Sequence, residues 1–287
     1  MTLLEAVRAG SARLDQAGVS FGHGTTNAFD EAAWLALAAL GLPPDALDDH
    51  AVRVLDAGER AAVEALIERR IATRRPAAYL TGEAWLQGVP FCVDERTIVP
   101  RSLIAEVIAD GSVDPWLPPH ARRVLDLCTG NGSLAVLAAL AWDQVTVDAS
   151  DLSADALAVA RRNVERHGLA GRIALLHSDL LADVRGPYDL ILCNPPYVNA
   201  ASMAALPPEY RAEPALALAG GADGMDLVRR IVRDAPAAMS ERAALVLEVG
   251  HERAHFEAAF PALEVVWLPT SAGDDSVLLA TREALSP

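Results

Sequence analysis

The chain contains no lysine, so all 24 of its basic side chains are arginines. They are outnumbered by 39 Asp and Glu residues, which gives a formal net charge of −15 at pH 7. This balance argues against general nucleic-acid binding through a broad basic surface, although a local basic groove stays possible. A basic protein partner suits the acidic field better, while solubility alone also accounts for the charge.

Long apolar runs and a cysteine framework are also missing. Residues 134–142 form one of the longest apolar runs, far short of the roughly 20 residues that span a bilayer. Residues 1–18 carry charges throughout and lack the apolar segment of a secretory signal. The three cysteines are Cys92, Cys128 and Cys193, a set that matches neither a disulfide framework nor a zinc site. We expect a soluble, cytoplasmic protein in a reducing compartment, with no membrane association and no metal.

Hydrophobic periodicity divides the chain into three predicted parts. Apolar residues recur at helical spacing through the first ~75 residues. From Tyr79 to Pro100 the pattern changes to short β-like pieces broken by glycine and proline, typical of a hairpin. After Pro118-Pro119, strands and helices alternate, which predicts a parallel, doubly wound α/β sheet. We therefore place a helical domain at 1–76, a β-hairpin linker at 77–100 and a catalytic domain at 101–287.

A glycine-containing loop follows the first predicted strand of that sheet. It reads Asp126-Leu127-Cys128-Thr129-Gly130-Asn131-Gly132, and glycines there let the backbone approach a ligand closely. Asp151 ends the next strand, where a carboxylate can accept both ribose hydroxyls of an adenosyl group. Asp179 follows the third strand, where it or its backbone can meet the adenine amine. The same spacing also fits a dinucleotide fingerprint, so a nicotinamide enzyme stays open at this point.

The fourth predicted strand ends in Asn194-Pro195-Pro196-Tyr197. A planar NH2 group offers two donors, which the Asn194 side-chain oxygen and the Pro195 carbonyl can accept. The two prolines stiffen the loop, and the Tyr197 ring can pack on the flat face of an amide or base. A Pro-Pro turn that merely ends a strand is the structural alternative. A nicotinamide enzyme has no obvious use for this loop.

This loop indicates methylation of a planar nitrogen by S-adenosylmethionine, with S-adenosylhomocysteine as the product. An amide nitrogen is a poor nucleophile because its lone pair is delocalised. Holding both hydrogens aims that lone pair, and orientation of this kind lowers a bimolecular barrier by up to roughly 7–11 kcal/mol. The cofactor carries the reactive methyl group, so no metal or protein nucleophile is needed.

These motifs resemble those of the HemK-type protein glutamine methyltransferases, and the resemblance covers essentially the whole chain. It also includes Glu213-Pro214-Ala215-Leu216 and the segment from Gly221 to Asp226. The resemblance implies a helical N-terminal domain that docks the substrate, a β-hairpin linker and a seven-stranded, Rossmann-like class I methyltransferase domain. It also implies that the protein methylates the side-chain amide of a protein glutamine.

Other segments resemble the PrmB branch of that family, which acts on large-subunit ribosomal protein L3. They are Phe21-Gly22-His23-Gly24-Thr25, Asp94-Glu95-Arg96, Val99-Pro100-Arg101-Ser102 and Leu206-Pro207-Pro208-Glu209-Tyr210-Arg211. The sister branch acts on peptide-chain release factors. Three positions depart from the usual family pattern: Leu103 replaces a proline, Cys128 takes the first glycine position of the loop, and Asp275-Ser276 replaces a Gly-hydrophobic pair.

The predicted site combines these residues. Methyl transfer is assigned to Asn194, Pro195 and Tyr197, and substrate binding to these three with Pro196. Cofactor binding is assigned to Asp126, Cys128, Thr129, Gly130, Gly132, Asp151, Asp179 and Asn194. Arg101 either lines the cofactor cleft or forms a surface ion pair, and Glu248 is a structural acceptor rather than a base.

Four other functions compete with a ribosomal-protein glutamine methyltransferase. Two are methyltransferases, acting on a release factor or on an exocyclic amine of DNA or RNA. The others are a nicotinamide oxidoreductase and a non-catalytic ribosome-assembly factor.

Overall fold

Five helices form the N-terminal part of the computed structural model, which describes residues 1–286. They are α1 (Leu3–Gln16), α2 (Ala28–Ala39), α3 (Leu47–His50), α4 (Ala57–Thr73) and α5 (Ala77–Thr81). Capping boxes begin α1 and α4, where Thr2 pairs with Glu5 and Asp56 pairs with Glu59. These bonds satisfy amides that the first helical turn leaves free. The apolar faces of α1, α2 and α4 then share one core.

A short hairpin follows, formed by β1 (Glu83–Leu86) and β2 (Val89–Cys92). The β-like pattern predicted from Tyr79 is wrong at its start, because Tyr79 lies in helix α5. Pro76 precedes α5 and Gly82 follows it, so the two residues bracket a single helical segment, as proline and glycine commonly do. The domain boundaries at residues 76 and 100 stay predictions.

Seven strands form the central sheet, in the order β5-β4-β3-β6-β7-β9-β8. The strands are β3 (Arg123–Leu127), β4 (Thr146–Asp151), β5 (Ile173–His177), β6 (Tyr188–Cys193), β7 (Met239–Glu248), β8 (Val266–Thr270) and β9 (Gly273–Thr281). Strands β3 to β7 are parallel to one another, as the alternation predicted.

The predicted parallel arrangement is wrong for β9 alone. β9 runs antiparallel to both β7 and β8. Only Ser271 and Ala272 separate β8 from β9, and a parallel pair needs a crossover of a dozen or more residues. The short connection therefore forces β8 and β9 to form a hairpin. In the sheet, β9 lies between β7 and β8.

Helices cover both faces of the sheet. They are α6 (Ile104–Ala109), α7 (Ser133–Ala141), α8 (Ala154–Arg166), α10 (Asp226–Ala238), α11 (Arg253–Ala259) and α12 (Arg282–Leu285), whereas α9 (Ala200–Ala205) has no buried residue. Successive strand residues point to opposite faces, so Val124 joins a core with α6 and α7. Leu125 packs instead with α10 and α11. In residues 1–286, no helix is long and apolar enough to cross a membrane.

A buried ionic cluster joins the N-terminal helices to the segment after α9. Arg70 of α4 is fully buried, and its Nε donates to Glu31 Oε1 at 2.8 Å. Glu209 is also fully buried and accepts from Arg74 Nη1 at 3.1 Å and from the Ser20 amide at 3.2 Å. Arg70 Nη1 lies 3.6 Å from the same Glu209 oxygen. This cluster connects the first 75 residues to the catalytic half of the chain.

Candidate active site

An open cleft of about 1030 Å³ lies at the carboxyl ends of β3, β4, β5 and β6. Strands β4 and β5 lie on one side of β3 and the following strand, β6, lies on the other, and ligands bind at such switch points in open α/β sheets. One wall comes from the strand ends and includes Cys128, Thr129, Gly130, Asp151, Asp179, Asn194 and Pro196. The opposite wall comes from residues 96–102 and 214–217 and includes Thr97, Pro100, Arg101, Pro214 and Leu216.

The two glycines of the loop after β3 have different roles, one at the cleft and the other in helix packing. Gly130 has φ +56°, and a side chain there would meet nothing within 4 Å, so its backbone is open to the cleft. Gly132 has φ +81°, and a Cβ there would lie 3.1 Å from the Ala160 Cβ of α8. Gly132 does not line the cleft, so its smallness serves helix packing. Cys128 also has positive φ, at 62°, which is uncommon outside glycine.

Asp126 lies behind the cleft wall and does not line it. Its Oδ2 accepts from the Ala135 amide at 2.9 Å and from the Thr129 hydroxyl, which ties the loop to the start of α7. Its Oδ1 is buried without a hydrogen-bond partner. Burial raises the pKa of Asp126 to about 7. The predicted contact of Asp126 with the cofactor stays a prediction, whereas its bracing of the loop is visible.

Asp151 and Asp179 both reach the cleft, with different surroundings. The Asp151 carboxylate accepts from the Gly130 amide at 2.8 Å and from the Ser153 amide at 2.8 Å. Burial raises the pKa of Asp151 and outweighs these hydrogen bonds, which lower it. Each oxygen keeps a lone pair for a hydroxyl group. The Asp179 side chain is half exposed and forms an ion pair with Arg230 at 2.8 Å.

The Asn194-Pro195-Pro196-Tyr197 loop only partly faces the cleft. Asn194 and Pro196 line it, and Pro195 is buried. Tyr197 does not line it, because its hydroxyl donates to Glu248 Oε1 at 3.1 Å. The structure thus brings Asn194 into the same cleft as Gly130 and Asp151. The predicted stacking of the Tyr197 ring on a substrate amide would need another side-chain position.

Arg101 lines the cleft as predicted, and it also forms an ion pair, but with the fully buried Glu213 and not at the surface. Its Nη1 and Nη2 donate to the two oxygens of Glu213 at 2.6 and 2.7 Å. Glu213 also accepts from the Val99 amide at 2.8 Å, and His23 Nε2 lies 3.6 Å away. Burial opposes ionisation of Glu213, but His23 and Arg101 lower its pKa to about 2. Sequence analysis gave Glu213 no role, although it falls within a family motif.

The residues of this cleft fit S-adenosylmethionine. Asp151 offers carboxylate oxygens to a ribose, and Gly130 offers an open backbone. The apolar side chains of Leu127, Leu152 and Leu180 line the neighbouring surface, as suits an adenine ring. In residues 1–286 we find no group of His, Cys, Asp or Glu residues with the arrangement of a metal site.

Comparison with known proteins identifies two family models in the chain. The PrmC N-terminal domain matches residues 5–82, and the Methyltransferase small domain matches residues 113–206. A protein of Bordetella pertussis is 56% identical over 99% of this chain and 96% of its own length. A protein of Burkholderia pseudomallei is 55% identical over 97% of this chain and 94% of its own length. A protein of Neisseria gonorrhoeae is 47% identical over 99% of this chain and 95% of its own length. All three are named ribosomal protein uL3 glutamine methyltransferase.

The chain belongs to this family. It is a methyltransferase, which confirms the predicted resemblance and decides against a nicotinamide oxidoreductase and against a non-catalytic factor. The catalytic domain of hMettl16, solved with the MAT2A 3′UTR hairpin 6, is 16% identical to this chain. The structural match covers 78% of this chain and 80% of the hMettl16 chain, with a TM-score of 0.53. That likeness shows a shared fold and nothing about the substrate.

Proposed function

We propose that this protein transfers the methyl group of S-adenosylmethionine to the side-chain amide nitrogen of a glutamine in ribosomal protein uL3. The presence of Asn194 in the same cleft as Gly130 and Asp151 carries the chemical part of the proposal. The names of relatives that are 47–56% identical over nearly the whole chain support the choice of substrate.

In this proposal the two sides of the cleft divide the work. When bound, S-adenosylmethionine supplies an electrophilic methyl group. Gly130 and Asp151 hold its ribose side, and Asp179 meets the adenine end. Asp126 and Thr129 keep the loop after β3 in shape through their hydrogen bond. Cys128 turns the backbone at the head of the loop, and Gly132 lets α7 pack closely on α8.

The substrate amide is proposed to bind at the other side, against the loop after β6. The Asn194 side-chain oxygen and the Pro195 carbonyl accept one hydrogen each from the glutamine NH2. The NH2 plane would then be fixed, and one of its two hydrogens would leave as a proton when the nitrogen is methylated. Pro195 and Pro196 keep the two acceptors at a constant separation because their φ angles are fixed. This orientation is the main contribution of the protein to the rate.

The partner of this enzyme is proposed to be a basic ribosomal protein, bound in the cytoplasm where such proteins are made. The net charge of −15 supports this choice, because an acidic surface attracts a basic protein and repels nucleic acid. The helices of residues 1–76 are the proposed docking region for that protein.

Replacing Asn194 with Ala tests the proposed chemistry. Methyl incorporation into uL3 should fall by roughly 100-fold, because the amide loses one of its two acceptors. The affinity for S-adenosylhomocysteine, measured by calorimetry, should stay within about twofold. Asn199→Ala is the matched control, since Asn199 caps α9 and lies outside the cleft. Normal turnover with weakened cofactor binding in Asn194→Ala would reject the assigned role.

The substrate is tested separately with the unaltered protein. Labelled S-adenosylmethionine is supplied with unmethylated uL3, with a peptide-chain release factor, or with nuclease-sensitive RNA and DNA. We expect label on a single glutamine of uL3, located by mass spectrometry. Label on the release factor or on nucleic acid would replace the proposed substrate while keeping the reaction.

A further inference from the structure

We infer that Tyr197 is the anchor of the Asn194-Pro195-Pro196-Tyr197 loop and that Glu248 holds this anchor, so that both act as positioning residues for methyl transfer. The inference rests on the proposed function and adds to it. Tyr197 thereby sets the direction of Asn194 and need not touch the substrate.

The Glu248 carboxylate connects three separate parts of the chain at the end of β7. Its Oε2 accepts from the Ser102 hydroxyl at 2.6 Å and from the Leu103 amide at 2.9 Å. Its Oε1 accepts from the Tyr197 hydroxyl at 3.1 Å. Glu248 is 3% exposed, so these three donors replace the water that a carboxylate otherwise needs. The loop after β6 is therefore tied both to β7 and to the segment that begins α6.

Glycines from two other loops make room for Tyr197. A Cβ on Gly250 would lie 2.5 Å from Tyr197 Cε2, and a Cβ on Gly220 would lie 2.7 Å from Tyr197 Cα. A Cβ on Gly224 would lie 2.2 Å from the Tyr197 carbonyl oxygen. No side chain fits at these distances, so the ring and the backbone of Tyr197 can pack this closely only against glycines. This close approach explains the glycine at position 224 within the family segment 221–226 and the glycine at position 220 directly before that segment.

Anchoring Tyr197 determines where Asn194 points, because little freedom remains between them. Pro195 and Pro196 have fixed φ angles, and the other end of the loop continues β6, where Cys193 pairs with Leu127 and Leu247. The loop is thus held at both ends and stiff in the middle. Releasing Tyr197 would let Asn194 and the Pro195 carbonyl rotate away from the substrate NH2.

A carboxylate is needed at position 248 because it accepts without donating. Glutamine has the same shape, but only one of its two polar atoms accepts. If that oxygen keeps Ser102 and Leu103, the NH2 group faces the Tyr197 hydroxyl, which then has no acceptor for its own proton. Burial raises the pKa of Glu248, while Ser102, Tyr197 and Leu103 oppose that rise by donating to the carboxylate. Glu248→Gln therefore changes the bond to Tyr197 and little else.

The test is a double-mutant cycle on kcat with Glu248→Gln, Tyr197→Phe and the double variant. Each single variant should lower kcat about tenfold, the loss expected for one buried hydrogen bond. The double variant should be no slower than the singles, because both remove the same bond. The KM for uL3 and the affinity for S-adenosylhomocysteine should stay within about twofold. Tyr188→Phe is the matched control, since Tyr188 donates to Asp148 at 2.6 Å and does not line the cleft.

Three results would overturn the inference: wild-type kcat in Glu248→Gln, losses that multiply in the double variant, or a parallel loss of S-adenosylhomocysteine affinity. Failure of the proposed function shows elsewhere, in the unaltered enzyme. If that enzyme methylates a release factor instead of uL3, the substrate proposal fails and the cycle is measured on the release factor. If it methylates no protein, both proposals are rejected.

Discussion

At the scale of single residues, the opposite wall of the cleft depends on one buried carboxylate. The Glu213 carboxylate accepts hydrogen bonds from Nη1 and Nη2 of Arg101 and from the Val99 amide. The Glu213 side chain is completely enclosed, and its partners are Val99 of the predicted linker, Arg101 at the start of the predicted catalytic domain and His23 of the N-terminal region. Removing one partner of such a pair leaves a buried charge unmatched, which costs far more than losing an exposed pair.

The low pKa of Glu213 predicts how stability responds to acid. Its pKa is about 2 in the folded protein and 4.5 for the free side chain, so ionised Glu213 stabilises the fold above pH 4.5. That contribution, about 3 kcal/mol, is lost as the pH falls from 4.5 toward 2. Glu213→Gln should therefore lower the free energy of unfolding at pH 7, with a difference that shrinks in acid. Urea unfolding at a series of pH values measures this difference.

The control for that series is Glu68→Gln, because Glu68 pairs with Arg13 at the surface. Exposed pairs contribute only about 0–1 kcal/mol. A Glu213→Gln curve parallel to that of the unaltered protein from pH 7 to pH 2 would contradict the assigned pKa.

Single residues also show what sequence analysis could and could not reach. Asp151 and Asn194 were predictable as neighbours because both follow parallel strands, whose carboxyl ends share one edge of the sheet. The Arg101–Glu213 pair was not, since the two residues lie 112 positions apart and no periodicity relates them. The side-chain direction of Tyr197 also escaped prediction, because it depends on contacts with Glu248 and Gly250, which lie far along the chain.

At the scale of elements, one glycine of the loop after β3 lines the cleft and another allows two helices to pack closely. Gly132→Ala should destabilise the protein more than Gly130→Ala, although both have positive φ. The backbone cost of about 1–2 kcal/mol is common to the two, but only the Gly132 variant pushes α7 against Ala160. Thermal unfolding compares the two variants.

Binding of S-adenosylhomocysteine should show the reverse order. Gly130 lines the cleft and Gly132 does not. Gly130→Ala should therefore weaken the binding of S-adenosylhomocysteine more than Gly132→Ala does, although it destabilises the protein less. Equal effects of the two substitutions on both measurements would contradict this division of roles.

The order of elements was largely readable from the sequence, and the errors have local causes. The alternation of strand and helix after residue 118 correctly predicts the parallel strands β3 to β7. It gives no direction for β8 and β9, because no helix lies between these two strands, so it does not predict the β8–β9 hairpin. The short helix α5 was missed because five residues between Pro76 and Gly82 are too few to show a helical period.

At the scale of the whole molecule, the cluster of Arg70, Glu31, Arg74 and Glu209 joins the N-terminal helices to the catalytic half. Arg70→Ala should lower the free energy of unfolding by about 3–5 kcal/mol, because it leaves Glu31 buried without its partner. Arg13→Ala, which breaks an exposed pair on the same group of helices, should cost less than about 1 kcal/mol. Chemical denaturation measures both, and equal effects would show that burial of the cluster does not matter.

The position of β9 has a consequence for how the protein is made. Twenty-four residues, 249–272, separate the end of β7 at Glu248 from the start of β9 at Gly273. During synthesis, β7 therefore emerges with one edge open, and β8 has no partner in the sheet until β9 has been translated. A message truncated before codon 273 would yield a chain with an exposed β7 edge, the kind of template on which proteins aggregate. Such a product should be cleared by proteases or found in inclusion bodies, and not accumulate as a weakened enzyme.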